Sequence, residues 1–272
     1  MSASPKKLYL DIGGQKDRSQ APEWLIVDIR KGADVRVDLC QQLIPLKSNS
    51  VDLIYCSHTL EHIFKDKIES VLCEFYRILK PNGTLRIVVP DLEKISQAYI
   101  NKDIEFFKAW PPSRKRLESG MPLGMVVSYL IATGMLSRFY NKTGQGHVNM
   151  YDYDALKYLL NHIGFENTLQ KDFLTTDCNP FLAAEKNTPS LNAPEGNIQN
   201  ASLYLETQKP AIHNTASLSL IMIYGINFCL KLLKTISPSK SITIHNLLTK
   251  GLTRWPVAKE KFRKQWFKLM TS

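Results

Sequence analysis

The sequence predicts an α/β fold in which a doubly wound, mostly parallel β-sheet is covered by helices on both faces. Short apolar runs of strand length recur through the first third of the chain, and such runs are typical of strands that are buried on both faces. Amphipathic helical spacing and breaks at glycine and proline separate these runs. Several runs end in polar residues, and the carboxyl ends of parallel strands form the edge where ligands bind.

Five apolar runs predict the strands of the first half of the sheet. The first run ends at the glycine turn Gly13-Gly14, and the second ends at Asp28. The third ends near Asp38, and helical spacing of apolar residues over 66–80 predicts a helix before the fifth. The predicted strands are residues 7–12, 24–29, 33–39, 51–56 and 84–89.

The pattern changes in the second half of the body. Helical stretches that are broken by proline and glycine predict an inserted helical cap over about 92–147. A further helix is expected to end at Gly164, because glycine is the usual stop of a helix. The last two strands are predicted at 165–173 and 202–206, with antiparallel pairing as one arrangement. Between them, 176–200 is rich in Asn, Pro, Ser and Thr, which predicts a mobile loop.

Charge divides the chain into a body, residues 1–208, and a basic helical tail, residues 209–272. The chain carries a formal net charge of +10. The tail holds eleven Lys or Arg and one acid, so the body has equal numbers of bases and acids. Such a tail is expected to bind anionic partners, either a membrane surface or, as the weaker interpretation, nucleic acid. Docking of its aromatic stripe on the protein itself is the third interpretation.

Cysteine usage and the N-terminal residues predict the compartment. The five cysteines include no CxxC pair, which is typical of reduced, buried thiols. The first residues lack the apolar core of a signal peptide. We therefore expect a cytoplasmic protein, with the tail as the element that would hold it peripherally at the inner face of a membrane.

The strand ends supply the features that a cofactor with an adenosine moiety needs. Gly13 follows the first strand, where the chain must pass close to the ligand, and Asp28 ends the second, where a carboxylate can accept hydrogen bonds from the ribose. Asp38 and Leu39 follow the third strand, at the adenine. Asp11 would orient the glycine turn or the methionine end of the cofactor. Each residue alone is also a common turn or cap residue, so the ordered set carries the prediction.

Four sequence blocks resemble the type 11 superfamily of class I methyltransferases. They are LDIGG at 10–14, WLIVD at 24–28, ADVRVDL at 33–39 and SHTLEHI at 57–63. Weaker likeness extends over about 7–173 and includes Gly146-His147 and Tyr151. The resemblance implies a Rossmann-like fold and an enzyme that uses S-adenosylmethionine as its cofactor.

The resemblance also implies the residues of the cofactor site. It places Ser57 and His58 beside the methionine portion of the cofactor or the methyl acceptor. The residues expected at the cofactor are Asp11, Gly13, Gly14, Asp28, Asp38, Leu39, Ser57 and His58. Gln15 stands where the family usually has a second glycine, which keeps a non-catalytic, methyltransferase-like, membrane-associated binding protein as an alternative.

The leading hypothesis is O-methylation of a sugar, glycan or lipid-linked small molecule near a membrane. An RNA or protein methyltransferase that uses the basic tail is the alternative enzyme. Proton removal from a hydroxyl acceptor needs a base, for which His58 and His147 are the catalytic candidates. The spacing of His58 and His62 around Glu61 also suits a metal pair. No third ligand stands at a predictable spacing, so no metal site is predicted.

Overall fold

The protein contains a seven-stranded mixed sheet. The computed structural model describes residues 7–14, 23–140, 146–186 and 198–211. The strands are β1 (Tyr9–Ile12), β2 (Trp24–Asp28), β3 (Val35–Arg36), β4 (Val51–Ser57), β5 (Leu79–Pro90), β6 (Glu166–Lys171) and β7 (Ser202–Gln208). Their order is β3-β2-β1-β4-β5-β7-β6. Neighbours from β3 to β5 pair in parallel, whereas β7 is antiparallel to both β5 and β6. The predicted doubly wound fold and the antiparallel pair are therefore confirmed.

Seven helices are present in the described ranges. They are α1 (Ile68–Ile78), α2 (Leu92–Ile100), α3 (Ile104–Lys108), α4 (Pro111–Glu118), α5 (Leu123–Tyr140), α6 (Tyr153–Ile163) and α7 (Asn179–Lys186). Asp91 begins α2 by accepting from the amides of Glu93 and Lys94. Gly164 ends α6 in the left-handed conformation, as predicted. Helices α2 to α5 occupy the range of the predicted helical insertion up to Tyr140.

Both faces of the sheet are buried, but in two separate cores. Leu10, Ile54 and Ile87 point to one face and pack with apolar residues of α1 and α6. Tyr55 and Tyr204 point to the other face, where Phe181 and Ala184 of α7 cover them. Burial on both faces explains why the strands read as continuous apolar runs.

Helix α7 corrects the prediction of a mobile loop over 176–200. The local sequence is polar, but Phe181 and Ala184 are buried against the sheet. Glu185 Oε1 accepts from Arg86 Nε of β5 at 2.6 Å, with both side chains fully buried. These tertiary contacts override a weak local helix signal. Residues 187–197 of the predicted loop lie outside the described residues.

Lys209, which we assigned to the tail, lies buried against the body. Its Nζ donates to Asn49 Oδ1 at 2.7 Å and to the carbonyl oxygens of Tyr76 at 2.7 Å and Leu79 at 2.8 Å. Burial lowers the pKa of Lys209 to about 8. The side chain therefore ties the end of β7 to the carbonyl end of α1.

Most of the predicted basic tail, 212–272, lies outside the described residues, so its helices and partners stay predictions. Within the described ranges, none of the helices has the length and apolarity that crossing a bilayer requires.

Lys209→Met should lower the free energy of unfolding by about 1–3 kcal/mol, because it leaves buried carbonyl oxygens without their donor. Urea unfolding measures the change. Lys108→Met is the matched control, since Lys108 pairs with Glu105 at the surface; its effect should stay within about 0.5 kcal/mol. Equal effects of the two substitutions would contradict the role given to Lys209.

Candidate functional site

The candidate site lies where the order of the strands reverses along the chain. From β1 the chain winds outward to β2 and β3, and it then returns to β4 on the opposite side of β1. This reversal leaves a crevice at the carboxyl ends of β1 and β4. The register pairs Ile12 with Cys56, and Thr59 Oγ1 donates to the Ile12 carbonyl at 3.1 Å. The turn after β4 is therefore attached to the end of β1.

The glycine turn is packed too closely for side chains. Gly13 has φ of +73°, and a Cβ atom there would lie 2.0 Å from Thr59 Oγ1. A Cβ atom on Gly14 would lie 2.2 Å from a carboxylate oxygen of the buried Asp11. The turn therefore requires glycine at both positions, because Thr59 and Asp11 occupy the space that their side chains would need. Gln15 lies outside the described residues.

Asp28 ends β2 beside this turn, and Arg30 contacts both. Arg30 Nη2 donates to Asp28 Oδ2 at 2.6 Å and to the carbonyl oxygens of Gly13 and Gly14, each at 3.1 Å. Arg30 Nε also donates to Asp28 Oδ2 at 3.0 Å, and the Arg30 amide donates to Asp28 Oδ1 at 2.7 Å. Asp28, which was predicted to accept hydrogen bonds from the ribose, is thus already paired with the Arg30 guanidinium. The sequence did not predict this pair.

Asp38 and Leu39 lie one strand farther from the crevice. Asp38 Oδ1 accepts from the Cys40 amide at 2.9 Å, and Oδ2 accepts from Gln41 Nε2 at 2.6 Å. Leu39 is half-buried and packs against the main core. Both side chains stabilise the turn after β3, so an adenine contact there stays a prediction.

Ser57 and His58 follow β4 directly at the crevice. The Ser57 hydroxyl is buried and has no hydrogen-bond partner among the described residues. His58 adopts a left-handed conformation with φ of +48°, which is a strained backbone for this residue type. Its Nδ1 lies 3.2 Å from Glu61 Oε1, and its Nε2 lies 3.3 Å from Ser202 Oγ. The carboxylate can only accept, so Nδ1 carries the proton and Nε2 is left as the basic nitrogen.

Glu61 is the residue that joins the histidines. It lies in a short 3₁₀ helix, Leu60–His62, and its side chain is fully buried. Burial raises the pKa of Glu61, but the hydrogen bond from His58 and the charges of three imidazoles lower it by more, so the net pKa is below the usual value. The sequence signal for this role of Glu61 is an acid that stands between two histidines. From the sequence, this spacing was interpreted only as a possible metal pair.

His147 lies beside His62 and Glu61. Its ring centroid lies 5.1 Å from that of His62, and it is half-buried next to Glu61. Burial lowers the pKa of His147. The amides of Val148 and Asn149 both donate to the Glu61 carbonyl, at 2.8 and 3.1 Å, and these bonds bring the segment onto the 3₁₀ helix.

The structure thus brings Gly13, Gly14, Asp28, Ser57 and His58 to one edge of the sheet. It places His147 next to Glu61, the carboxylate that also contacts His58. Thr59 also belongs to this edge. Its contact with Gly13 follows from strand register, which no local sequence pattern predicts.

Part of this chain is similar in sequence to a known family. Residues 15–87 match the family described as "Methyltransferase domain", so the resemblance drawn from the motifs is confirmed over this stretch. An uncharacterised methyltransferase-like protein of Schizosaccharomyces pombe is 40% identical over 76 residues. That alignment covers 25% of this chain and 28% of the relative, so the chain spans about a quarter of the length of the curated relative that it matches.

Two solved structures are similar to this chain at lower sequence identity. A SAM-dependent methyltransferase of Archaeoglobus fulgidus is 14% identical with a TM-score of 0.41, over 75% of this chain and 87% of the other. A Thermotoga maritima protein described as a SAM-dependent methyltransferase, possible histamine N-methyltransferase, is 18% identical with a TM-score of 0.41, over 76% and 84% of the two chains.

Gly13→Ala should lower the free energy of unfolding by at least about 3 kcal/mol, because backbone strain adds to a collision with Thr59. Gly32→Ala is the control: Gly32 also has a positive φ, of +96°, but open space where a Cβ would stand. It should cost only about 1 kcal/mol. Urea unfolding of both variants separates strain from collision, and equal losses would contradict the close packing at Gly13.

Proposed function

We propose that this chain is an S-adenosylmethionine-dependent methyltransferase that methylates a hydroxyl group of a sugar, glycan or lipid-linked small molecule. One observation carries the proposal: a bare glycine turn, the carboxylate of Asp28 and the oriented imidazole of His58 lie at one sheet edge. The match of residues 15–87 to a methyltransferase domain supports the reaction class.

The residues at this edge fit the cofactor. Gly13 and Gly14 add no side chain of their own to the turn, where the closest groups are Thr59 at Gly13 and Asp11 at Gly14. The buried Ser57 hydroxyl, which lacks a hydrogen-bond partner among the described residues, would donate to the methionine portion. Asp28 would accept from the ribose hydroxyls once Arg30 has moved aside. That movement is inexpensive, because the Arg30 side chain is 47% exposed and exposed ion pairs contribute little to stability.

His58 is the proposed proton acceptor. The bound cofactor supplies an already activated methyl group, so the chain needs only to align the acceptor and remove its proton. Glu61 holds Nδ1 of His58 at 3.2 Å, which fixes the ring and leaves Nε2 for the acceptor hydroxyl. The Ser202 hydroxyl lies 3.3 Å from Nε2, and an acceptor hydroxyl would replace this contact.

The acceptor class rests on this base and on the basic tail. A hydroxyl needs a base when its oxygen is methylated, and the pairing of His58 with Glu61 provides one. The positive charge of 209–272 would hold the protein near an anionic membrane surface, where lipid-linked glycans are available as acceptors. We therefore favour a lipid-linked glycan over RNA.

Isothermal titration calorimetry should detect S-adenosylmethionine binding in the micromolar range. Asp28→Ala should weaken it by at least about 100-fold, because charge-assisted hydrogen bonds to the ribose are lost. Asp154→Ala, at an exposed position of α6, should leave the affinity unchanged. A wild-type chain that binds no S-adenosylmethionine would refute the proposed function.

His58→Gln should lower the turnover number by about 10²–10⁴-fold, because the proton acceptor is removed. The affinity for S-adenosylmethionine should change little. S-adenosylhomocysteine release measures the rate with a panel of free sugars, lipid-linked glycans and RNA. His162→Gln, at an exposed position of α6, should retain the full rate. Turnover on RNA alone would replace the proposed acceptor class, and full activity of His58→Gln would remove His58 from the mechanism.

A further inference from the structure

Three side chains behind His58 converge on one point. Glu61, His62 and His147 each offer one ligand atom, and these atoms lie within 4.8 Å of one another. The Glu61 side chain is fully buried, and its Oε2 has no hydrogen-bond partner among the described residues. A buried carboxylate oxygen without a donor costs free energy, so this atom points to a missing positive ligand.

The ring of His62 is held in the form that a metal ion needs. Its Nδ1 lies 3.0 Å from the carbonyl oxygen of Gly146. A carbonyl can only accept, so Nδ1 carries the proton and Nε2 is left with its lone pair. This Nε2 lies 3.9 Å from Glu61 Oε1. A metal-binding histidine usually donates from one ring nitrogen to a carbonyl and binds the ion through the other nitrogen.

His147 adds a second imidazole from another part of the chain. Its Nδ1 is buried without a hydrogen-bond partner among the described residues. Nδ1 is thus a second buried atom whose hydrogen-bonding capacity no described group uses. A cation bound between His147 and Glu61 would satisfy both atoms together.

The surrounding backbone keeps the three residues together. Glu61 and His62 lie on one 3₁₀ helix, and the amides of Val148 and Asn149 donate to the Glu61 carbonyl. The Asn149 side chain also donates to the Ile63 carbonyl. The cluster therefore rests on backbone hydrogen bonds on both sides, which is the support that a preorganised metal site requires.

We infer that Glu61, His62 and His147 bind a divalent transition-metal ion, with Zn²⁺ as the preferred ion. Two imidazoles and one carboxylate favour Zn²⁺ over Mg²⁺ or Ca²⁺, which prefer oxygen ligands. Three protein ligands leave a fourth position open for water or a substrate oxygen. His58, which contacts Glu61 Oε1, lies beside the ion and is not one of its three ligands.

Zinc uptake by the full-length, metal-stripped chain tests the inference. After incubation with Zn²⁺ and dialysis, elemental analysis should give one zinc per chain. Competition with a chromophoric chelator should show that Glu61→Gln and His147→Ala each weaken zinc binding by at least about 100-fold. Loss of a residue that only orients a metal ligand already lowers metal affinity by about 10–100-fold. Cobalt substitution should give the absorption bands of a four-coordinate ion in the wild-type chain and in neither Glu61→Gln nor His147→Ala.

Two controls separate ligand loss from misfolding and from the proposed methyl transfer. His162→Ala, at an exposed position of α6, should bind zinc like the wild-type chain. Zn²⁺ should raise the unfolding temperature of the wild-type chain but not that of Glu61→Gln, which preserves the side-chain size. Asp28→Ala should retain zinc while it loses S-adenosylmethionine. Substoichiometric zinc, or equal affinity in Glu61→Gln and His147→Ala, would overturn the inference.

Discussion

The parallel pairing of β1 with β4 is the constraint on which the candidate site depends. Its register sets Ile12 opposite Cys56, so the glycine turn after one strand meets the Ser57–Thr59 turn after the other. Thr59 then fills the space above Gly13 that a Cβ atom would occupy. Because a shift of one residue turns every side chain of a strand to the other face, the two buried cores of the sheet also determine which residues reach the crevice.

Glu61 has a comparable role in the chemistry of the site. A fully buried carboxylate needs compensating charge or donors, and the described residues supply them unequally. Oε1 contacts His58, whereas Oε2 has no donor among those residues. The same carboxylate can therefore orient the proposed base through one oxygen and bind a cation through the other. One carboxylate would thus serve both the proposed methyl transfer and the proposed metal site. Neither of the two requires the other.

Local patterns predicted those parts of the fold whose cause is local. The strands, α1, the Gly164 stop and the glycine turn follow from apolar spacing and backbone requirements. Helix α7 was missed because its signal is tertiary: Phe181 is buried on the sheet, and Glu185 neutralises Arg86 from 99 residues away along the chain. His147, the third member of the cluster with Glu61 and His62, was not predicted there for the same reason. His147 shows no ligand spacing relative to His62, and tertiary hydrogen bonds of its neighbours to Glu61, His62 and Ile63 bring it there.

Arg30 shows why a correctly placed residue does not by itself define a binding site. Asp28 lies where the sequence predicted it, yet both of its carboxylate oxygens accept from Arg30. The hydrogen bond with Asp28 and the charges of Asp28 and Asp11 raise the pKa of Arg30, although partial burial lowers it. The exposure of the guanidinium keeps its pair with Asp28 weak. A ribose would therefore replace the weak contacts of Arg30 with its own hydrogen bonds to Asp28.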